Sequence, residues 1–204
     1  MSILIAYKKD DTVYMGTDTR TIVNDHKKNE LRGCNLKIQK LANDMLLGIT
    51  GERLERQTLI AYSEIFTLDK NGKLTKKHIV KEIVPKLITV LEKEGLLIEK
   101  EGELPYMKAV ILLVHKGTIY EICSGFAVIK YEDFQVVGRA SDYAHATLMN
   151  TKPIDNIEGR IVKALDIVAE NSQYVGKPYL LINTKELEYK FVTNDMQYRV
   201  DKEV

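Results

Sequence analysis

The chain holds 204 residues with a formal net charge of +1, and 45% of its residues are hydrophobic. That length suits a single domain over residues 1–204 with a sizeable core. The balanced charge excludes a strongly basic nucleic-acid binder and an acidic disordered chain. The longest apolar run, Ala109–Val114, is far short of the ~20 residues a membrane-spanning helix needs. The start of the chain, from Met1 to Lys9, lacks the basic and apolar blocks of a signal peptide. Two distant cysteines, Cys34 and Cys123, set no disulfide framework, so a cytoplasmic location is expected.

In chain order, Ile3, Ile5 and Tyr7 alternate with Leu4 and Ala6, so this strand is apolar on both faces, as a strand between two layers is. Lys9-Asp10-Asp11 turns the chain, and Val13–Met15 returns as the second arm of a hairpin. Thr21–Lys27, Leu36–Leu41 and Met45–Thr50 are further strands, the last two joined by a turn at Asn43-Asp44. The period then becomes helical. Glu52–Phe66 spaces Leu54, Leu59, Tyr62 and Phe66 by three to five residues, and Ile79, Ile83, Leu87 and Leu91 recur every four. Thr75 is a plausible N-cap of the second helix, Gly95 its stop, and Pro85 predicts a kink or a late start. Strands return at Tyr106–His115, Thr118–Cys123, Phe126–Tyr131 and Phe134–Val137. Helices follow at Ser141–Asn150 and Asn156–Asn171, and a hairpin of Tyr179–Ile182 and Glu188–Val192 closes the chain.

Strands, two helices, strands, two helices, strands: hairpins imply antiparallel sheets, and helix pairs between them imply layers. The expected fold is α+β, a four-layer αββα sandwich in which two antiparallel sheets pack face to face and each is covered by a helix pair.

Several short motifs give this order a resemblance to a known family. Ser2 opens the first strand and Asp18 follows the hairpin; Leu36-Lys37-Ile38-Gln39-Lys40-Leu41 forms a later strand; Gly48-Ile49-Thr50-Gly51 precedes a helix. These resemble proteasome β-subunits and the bacterial proteasome-like peptidase that works with a ring ATPase, which are N-terminal nucleophile (Ntn) hydrolases. The resemblance implies that Ser2 is the nucleophile, Lys37 the catalytic lysine, Asp18 its partner, and the Gly48 N–H an oxyanion donor. It also implies a peptide or protein substrate, a homo-oligomeric ring, an ATPase or cap as a further partner, and no cofactor. Neither nucleic acid nor membrane is an expected partner.

The residues carry this chemistry in their own right. Methionine before a small residue is commonly trimmed, which exposes Ser2 with a free α-amine of pKa about 7.7–8.0. One residue then supplies both a nucleophilic oxygen and its own base. A lysine close by depresses the amine's pKa and steadies the developing charge on oxygen, and a carboxylate is needed to hold that lysine. Asp18 and Lys37, on adjacent strands, are expected to form that pair. Gly48 lets backbone approach a substrate carbonyl. Thr50, Gly51 and Arg53 are candidate pocket residues.

The sequence also departs from the family pattern. Ser stands where the family nucleophile is usually Thr. In Val137-Gly138-Arg139-Ala140-Ser141, Arg139 occupies the place of a serine that bonds the terminal amine, with Ser141 two residues on. In Ser172-Gln173-Tyr174-Val175-Gly176, Ser172 replaces an Asp and Val175 a Ser. Two alternatives therefore stand beside the peptidase: an inactive ring subunit or scaffold, and a small-molecule amidohydrolase with a rebuilt pocket. His26, His78, His115 and His145 form no metal-binding spacing, and no phosphate-binding glycine loop is present, so no metal site is expected.

Overall fold

The computed structural model describes residues 2–23, 26–29, 36–151, 156–193 and 197–199. The first strands are β1 (Ile3–Lys9) and β2 (Thr12–Asp18), followed by β3 (Arg20–Val23), β4 (His26–Asn29), β5 (Ile38–Lys40) and β6 (Leu46–Thr50). Helices α1 (Arg53–Ala61), α2 (Lys76–His78) and α3 (Val84–Lys93) come next. Then follow β7 (Val110–His115), β8 (Thr118–Ile122), β9 (Val128–Tyr131) and β10 (Phe134–Gly138). The chain continues through α4 (Ser141–Asn150), α5 (Ile157–Asn171), β11 (Tyr179–Asn183), β12 (Lys190–Val192) and β13 (Gln197–Arg199). One sheet runs β10-β1-β2-β11-β12-β13, the other β5-β6-β7-β8-β9, and β3-β4 forms a separate hairpin. Among the described residues, every strand pairing is antiparallel.

The expected αββα order is what forms, and strand alternation explains it. Along β1, Ile3 and Ile5 pack against α4 and α5 with Leu148, Ile161, Leu165 and Val168. Leu4 and Ala6, on the opposite face, meet Ile38, Leu46, Leu112 and Val114 of the other sheet. Leu47 and Ile49 of β6 turn outward to Leu59, Ile83, Leu87 and Leu91. Two glycines set the layer spacing. A Cβ on Gly16 would overlap Ile161 of α5, and one on Gly48 would lie 2.8 Å from Met15 Cε across the sandwich.

Pro85 has no N–H, and its ring would strike the carbonyl of Lys81 in a regular helix. The chain answers with a wide turn over Ile79–Ile83, where the Val84 N–H reaches back five residues to the Ile79 carbonyl. Thr75 caps α2 through its Oγ1, which accepts the His78 N–H at 3.3 Å. Gly95 ends α3 at φ +66°.

Four expectations change. Thr21–Lys27 is not one strand but part of the hairpin β3–β4, with Val23 opposite His26. Glu52–Phe66 is α1 followed by a separate tight turn over Ser63–Ile65, where the Ile65 and Phe66 N–H groups reach back only three residues, to Tyr62 and Ser63, and Phe66 enters the core. The strand expected from Tyr106 begins at Val110, since Tyr106 bridges to Ile98 instead. The closing hairpin gains a third strand, β13. Cys34 lies outside the described residues. Cys123 is half-buried beside Glu121, and burial with that carboxylate pushes its thiol up to about 11, which favours the protonated form.

Candidate active site

Ser2 stands at the mouth of β1 and is 2% exposed. Its carbonyl accepts the Arg139 N–H at 2.8 Å, while its Oγ is buried and has no hydrogen-bond partner. A buried hydroxyl without a partner is costly and uncommon. The β1–β2 register sets Leu4 opposite Thr17, which brings Asp18 level with the start of β1. There its Oδ1 accepts the Ile3 N–H at 3.3 Å and its Oδ2 the Arg20 N–H at 3.2 Å.

Lys37 enters β5 from the other sheet. Its Nζ lies 2.8 Å from Asp18 Oδ1 and donates to the Arg20 carbonyl at 2.8 Å. The pair therefore spans the sandwich between two sheets rather than lying on adjacent strands. Lys37 and Asp18 are both buried. Burial raises the Asp18 pKa, against the pull of the Lys37 ammonium and two backbone N–H groups. Lys37 is also anchored through its backbone, since its carbonyl accepts the Ile49 N–H at 3.0 Å.

Ser2 and Lys37 open onto one cavity of about 500 Å³. Gly51, Glu52, Arg53 and Arg56 line it from the β6–α1 turn, and Thr21, Lys108 and Tyr174 from elsewhere. Gly51 holds φ +118°, and a Cβ there would meet Ala109 Cα at 2.9 Å, so only glycine fits this turn. Glu55, buried one helical turn on, accepts the Lys108 N–H at 3.0 Å, and burial raises its pKa. Lys108 Nζ reaches Glu52 at 2.7 Å on the rim.

Of the residues singled out in the sequence, Ser2, Asp18 and Lys37 come together, and Gly51 and Arg53 reach the same cavity. Gly48 packs in the layer between the sheets rather than on the cavity wall. Thr50 is buried, with its Oγ1 on the Val110 carbonyl at 3.3 Å. Arg139 meets Ser2 through its backbone, while its guanidinium stacks on the Tyr174 ring at 4.8 Å. Ser141 opens α4 and Ser172 ends α5; neither lines the cavity.

Sequence reasoning missed Arg20, Arg56, Lys108 and Tyr174. Arg20 contributes to the Lys37 site through its backbone, and its guanidinium bonds the Val175 carbonyl at 2.8 Å while packing where a Gly176 Cβ would be. Backbone roles leave no residue-type signal. Arg56 and Lys108 did carry one, as basic residues beside the glycine turn and the longest apolar run.

No family model matches the chain, and no curated protein matches its sequence. Solved structures do. Thiobacillus denitrificans BPH in complex with epoxomicin matches at TM-score 0.68 and 19% identity, covering 89% of this chain and 97% of that one. HslV from Trypanosoma brucei matches at TM-score 0.59 and 16% identity, over 89% and 98%. Anbu, an ancestral β-subunit from Yersinia bercovieri, matches at TM-score 0.64 and 13% identity, over 97% and 86%. The chain has the proteasome-type Ntn-hydrolase fold.

Within this Ntn-hydrolase fold, the start of β1 is held by one glycine. Gly138 sits at φ +108°, and a Cβ on it would overlap the Ser2 carbonyl oxygen. Gly138→Ala combines a strained backbone with that collision. It is expected to lower stability by about 2–4 kcal/mol and to weaken protection of the Ile3 and Arg139 amides. Hydrogen exchange unchanged at both amides would contradict this role.

Proposed function

We propose that the chain is a proteasome-type peptidase in which Ser2, freed by removal of Met1, is both nucleophile and base. The observation that carries this reading is the orphaned Ser2 Oγ, buried at the edge of a cavity it shares with Lys37. The α-amine, directly or through a water, takes the Oγ proton as the oxygen attacks the amide carbonyl. The Lys37 ammonium, fixed by Asp18 and the Arg20 carbonyl, favours the neutral amine and the developing alkoxide. The tetrahedral oxyanion takes a backbone N–H from the Gly48–Gly51 turn, and of the two glycines Gly51 is the one that lines the cavity. The amine returns its proton to the leaving nitrogen, and water then hydrolyses the acyl-enzyme. The same reading includes a homo-oligomeric ring that encloses the sites and an ATPase or cap as partner.

A scaffold without catalysis is the second reading. It is favoured by Arg139, which offers Ser2 a backbone N–H and no hydroxyl. Intact mass before and after a peptide epoxyketone separates the two. The reagent closes its adduct only on a free α-amine with a neighbouring hydroxyl, and the complex of BPH with epoxomicin makes it a fitting probe. Loss of Met1 with one adduct per chain is the expected result. Retained Met1, or no adduct, overturns the peptidase reading.

A further inference from the structure

We infer that Glu55 is a positioning residue for the Ser2 reaction: from behind the cavity wall, its side chain holds the Gly51 turn against the entry to β7 and so aims the Gly51 N–H at the oxyanion. The inference rests on the peptidase reading of Ser2 and deepens it.

Glu55 is set apart by where it is buried. It stands on the first turn of α1, yet it is 3% exposed. A buried carboxyl group is unfavourable unless its oxygens are hydrogen-bonded or paired with a cation. Here Oε1 accepts the Lys108 N–H at 3.0 Å, while Oε2 is buried with no hydrogen-bond partner. The nearby Lys108 ammonium pairs with Glu52 at the rim instead. Burial and the Glu52 charge raise the Glu55 pKa, against the Lys108 and Ala109 N–H groups and the Lys108 ammonium. An apolar side chain of similar size would avoid this desolvation.

The position of the carboxyl group gives it a task. A Cβ built on Gly51 would stand 3.2 Å from Glu55 Oε2 and 2.9 Å from Ala109 Cα. Gly51 therefore sits between a side chain of α1 and the backbone that leads into β7. The Lys108 bond ties those two walls together, and Thr50, just before the turn, is held opposite Val110 in the sheet. Gly51 lines the cavity with Ser2 and Lys37, and no hydrogen bond occupies its N–H among the described residues. An oxyanion donor works by being aimed beforehand at the place where charge develops. A misplacement of about 1 Å can cost a hundredfold in rate. Glu55 does not itself line the cavity, so it acts through Gly51 and not on the substrate.

The test compares Glu55→Ala and Glu55→Gln with the wild-type full-length protein on one peptide. Rates are expressed per site that takes the epoxyketone, counted by intact mass, so that unfolded chains drop out. Glu55→Ala removes both the Lys108 bond and the contact beside Gly51. Its kcat per labelled site is expected to fall roughly ten- to hundredfold with KM within about twofold of wild type. Glu55→Gln keeps the bulk and the acceptor, and should restore kcat to within about threefold. If Glu55→Ala yields no folded protein, Glu55→Leu, which fills the space but accepts no hydrogen bond, takes its place with the same expectation. A purely structural role lowers the number of labelled sites and leaves kcat per site unchanged, and that result overturns the inference while leaving the peptidase. A rise in KM at constant kcat overturns it too, by placing Glu55 in substrate binding. A Gln variant as slow as the Ala variant overturns it by assigning the effect to charge. Wild-type protein that takes no adduct removes the peptidase reading and this inference with it.

Discussion

Ser2→Ala is expected to abolish peptide hydrolysis and epoxyketone labelling while leaving the fold as stable as before. Most buried polar side chains cannot be truncated so cleanly, because the partner left behind loses a hydrogen bond. Ser2 Oγ has no such partner. Its removal deletes an unsatisfied buried oxygen, a change that is neutral or slightly stabilising, within about 1 kcal/mol. The backbone of residue 2 keeps its bond to the Arg139 N–H, and alanine is still small enough for Met1 to be trimmed. The amine therefore survives and the nucleophile does not. Loss of a nucleophile costs at least about a thousandfold in turnover. Thermal unfolding, peptide cleavage and intact mass together check this. A variant that still cleaves at more than a tenth of the wild-type rate, or that unfolds several degrees lower, contradicts the role given to this hydroxyl.

How much of this was legible in the sequence follows from which interactions leave a pattern. The layers were legible because burial imposes period two on strands and near four on helices. Leu4 and Ile5 face different layers, and Ile79, Ile83, Leu87 and Leu91 share one. The β3–β4 hairpin was read as a single strand because its apolar residues are few, although Asn24-Asp25 within it is a turn signal. Ser2, Asp18 and Lys37 were legible through the resemblance of their motifs to a known family, but their geometry was not. Neighbouring positions in a motif do not say whether two residues share a sheet or face each other across a sandwich. The contribution of Arg20 was hidden because its N–H and carbonyl, which hold Asp18 and Lys37, belong to every residue alike. The make-up of the cavity lining was hidden too, since Arg53 and Arg56 on α1 join Lys37 and Lys108 around it only once the chain has turned at Gly51.

The cross-sheet pair leads to the second large effect. Lys37→Met keeps most of the stem and deletes the ammonium, leaving Asp18 buried with only the N–H groups of Ile3 and Arg20. Breaking a buried pair at one end costs about 3–5 kcal/mol, and activity should fall with it. The sign of the pH dependence identifies the cause. Burial already raises the Asp18 pKa in the intact protein, and loss of the lysine raises it further. A carboxyl whose folded pKa lies above its unfolded value binds protons more tightly in the native state, so the stability of the variant rises as pH falls. The destabilisation is therefore full above the folded pKa. It shrinks by about 1.4 kcal/mol per pH unit down to the Asp18 pKa of the intact protein, itself raised by burial, below which both proteins gain stability in parallel and it levels off. Urea unfolding of both proteins across that range should show the gap closing in acid. Adding Asp18→Asn to Lys37→Met, which replaces the stranded charge by a neutral amide, should recover most of the stability at neutral pH and none of the activity. A gap independent of pH, with no recovery in the double variant, would mean that Lys37 stabilises the sandwich by packing alone and that its charge is not what joins the two sheets at Ser2.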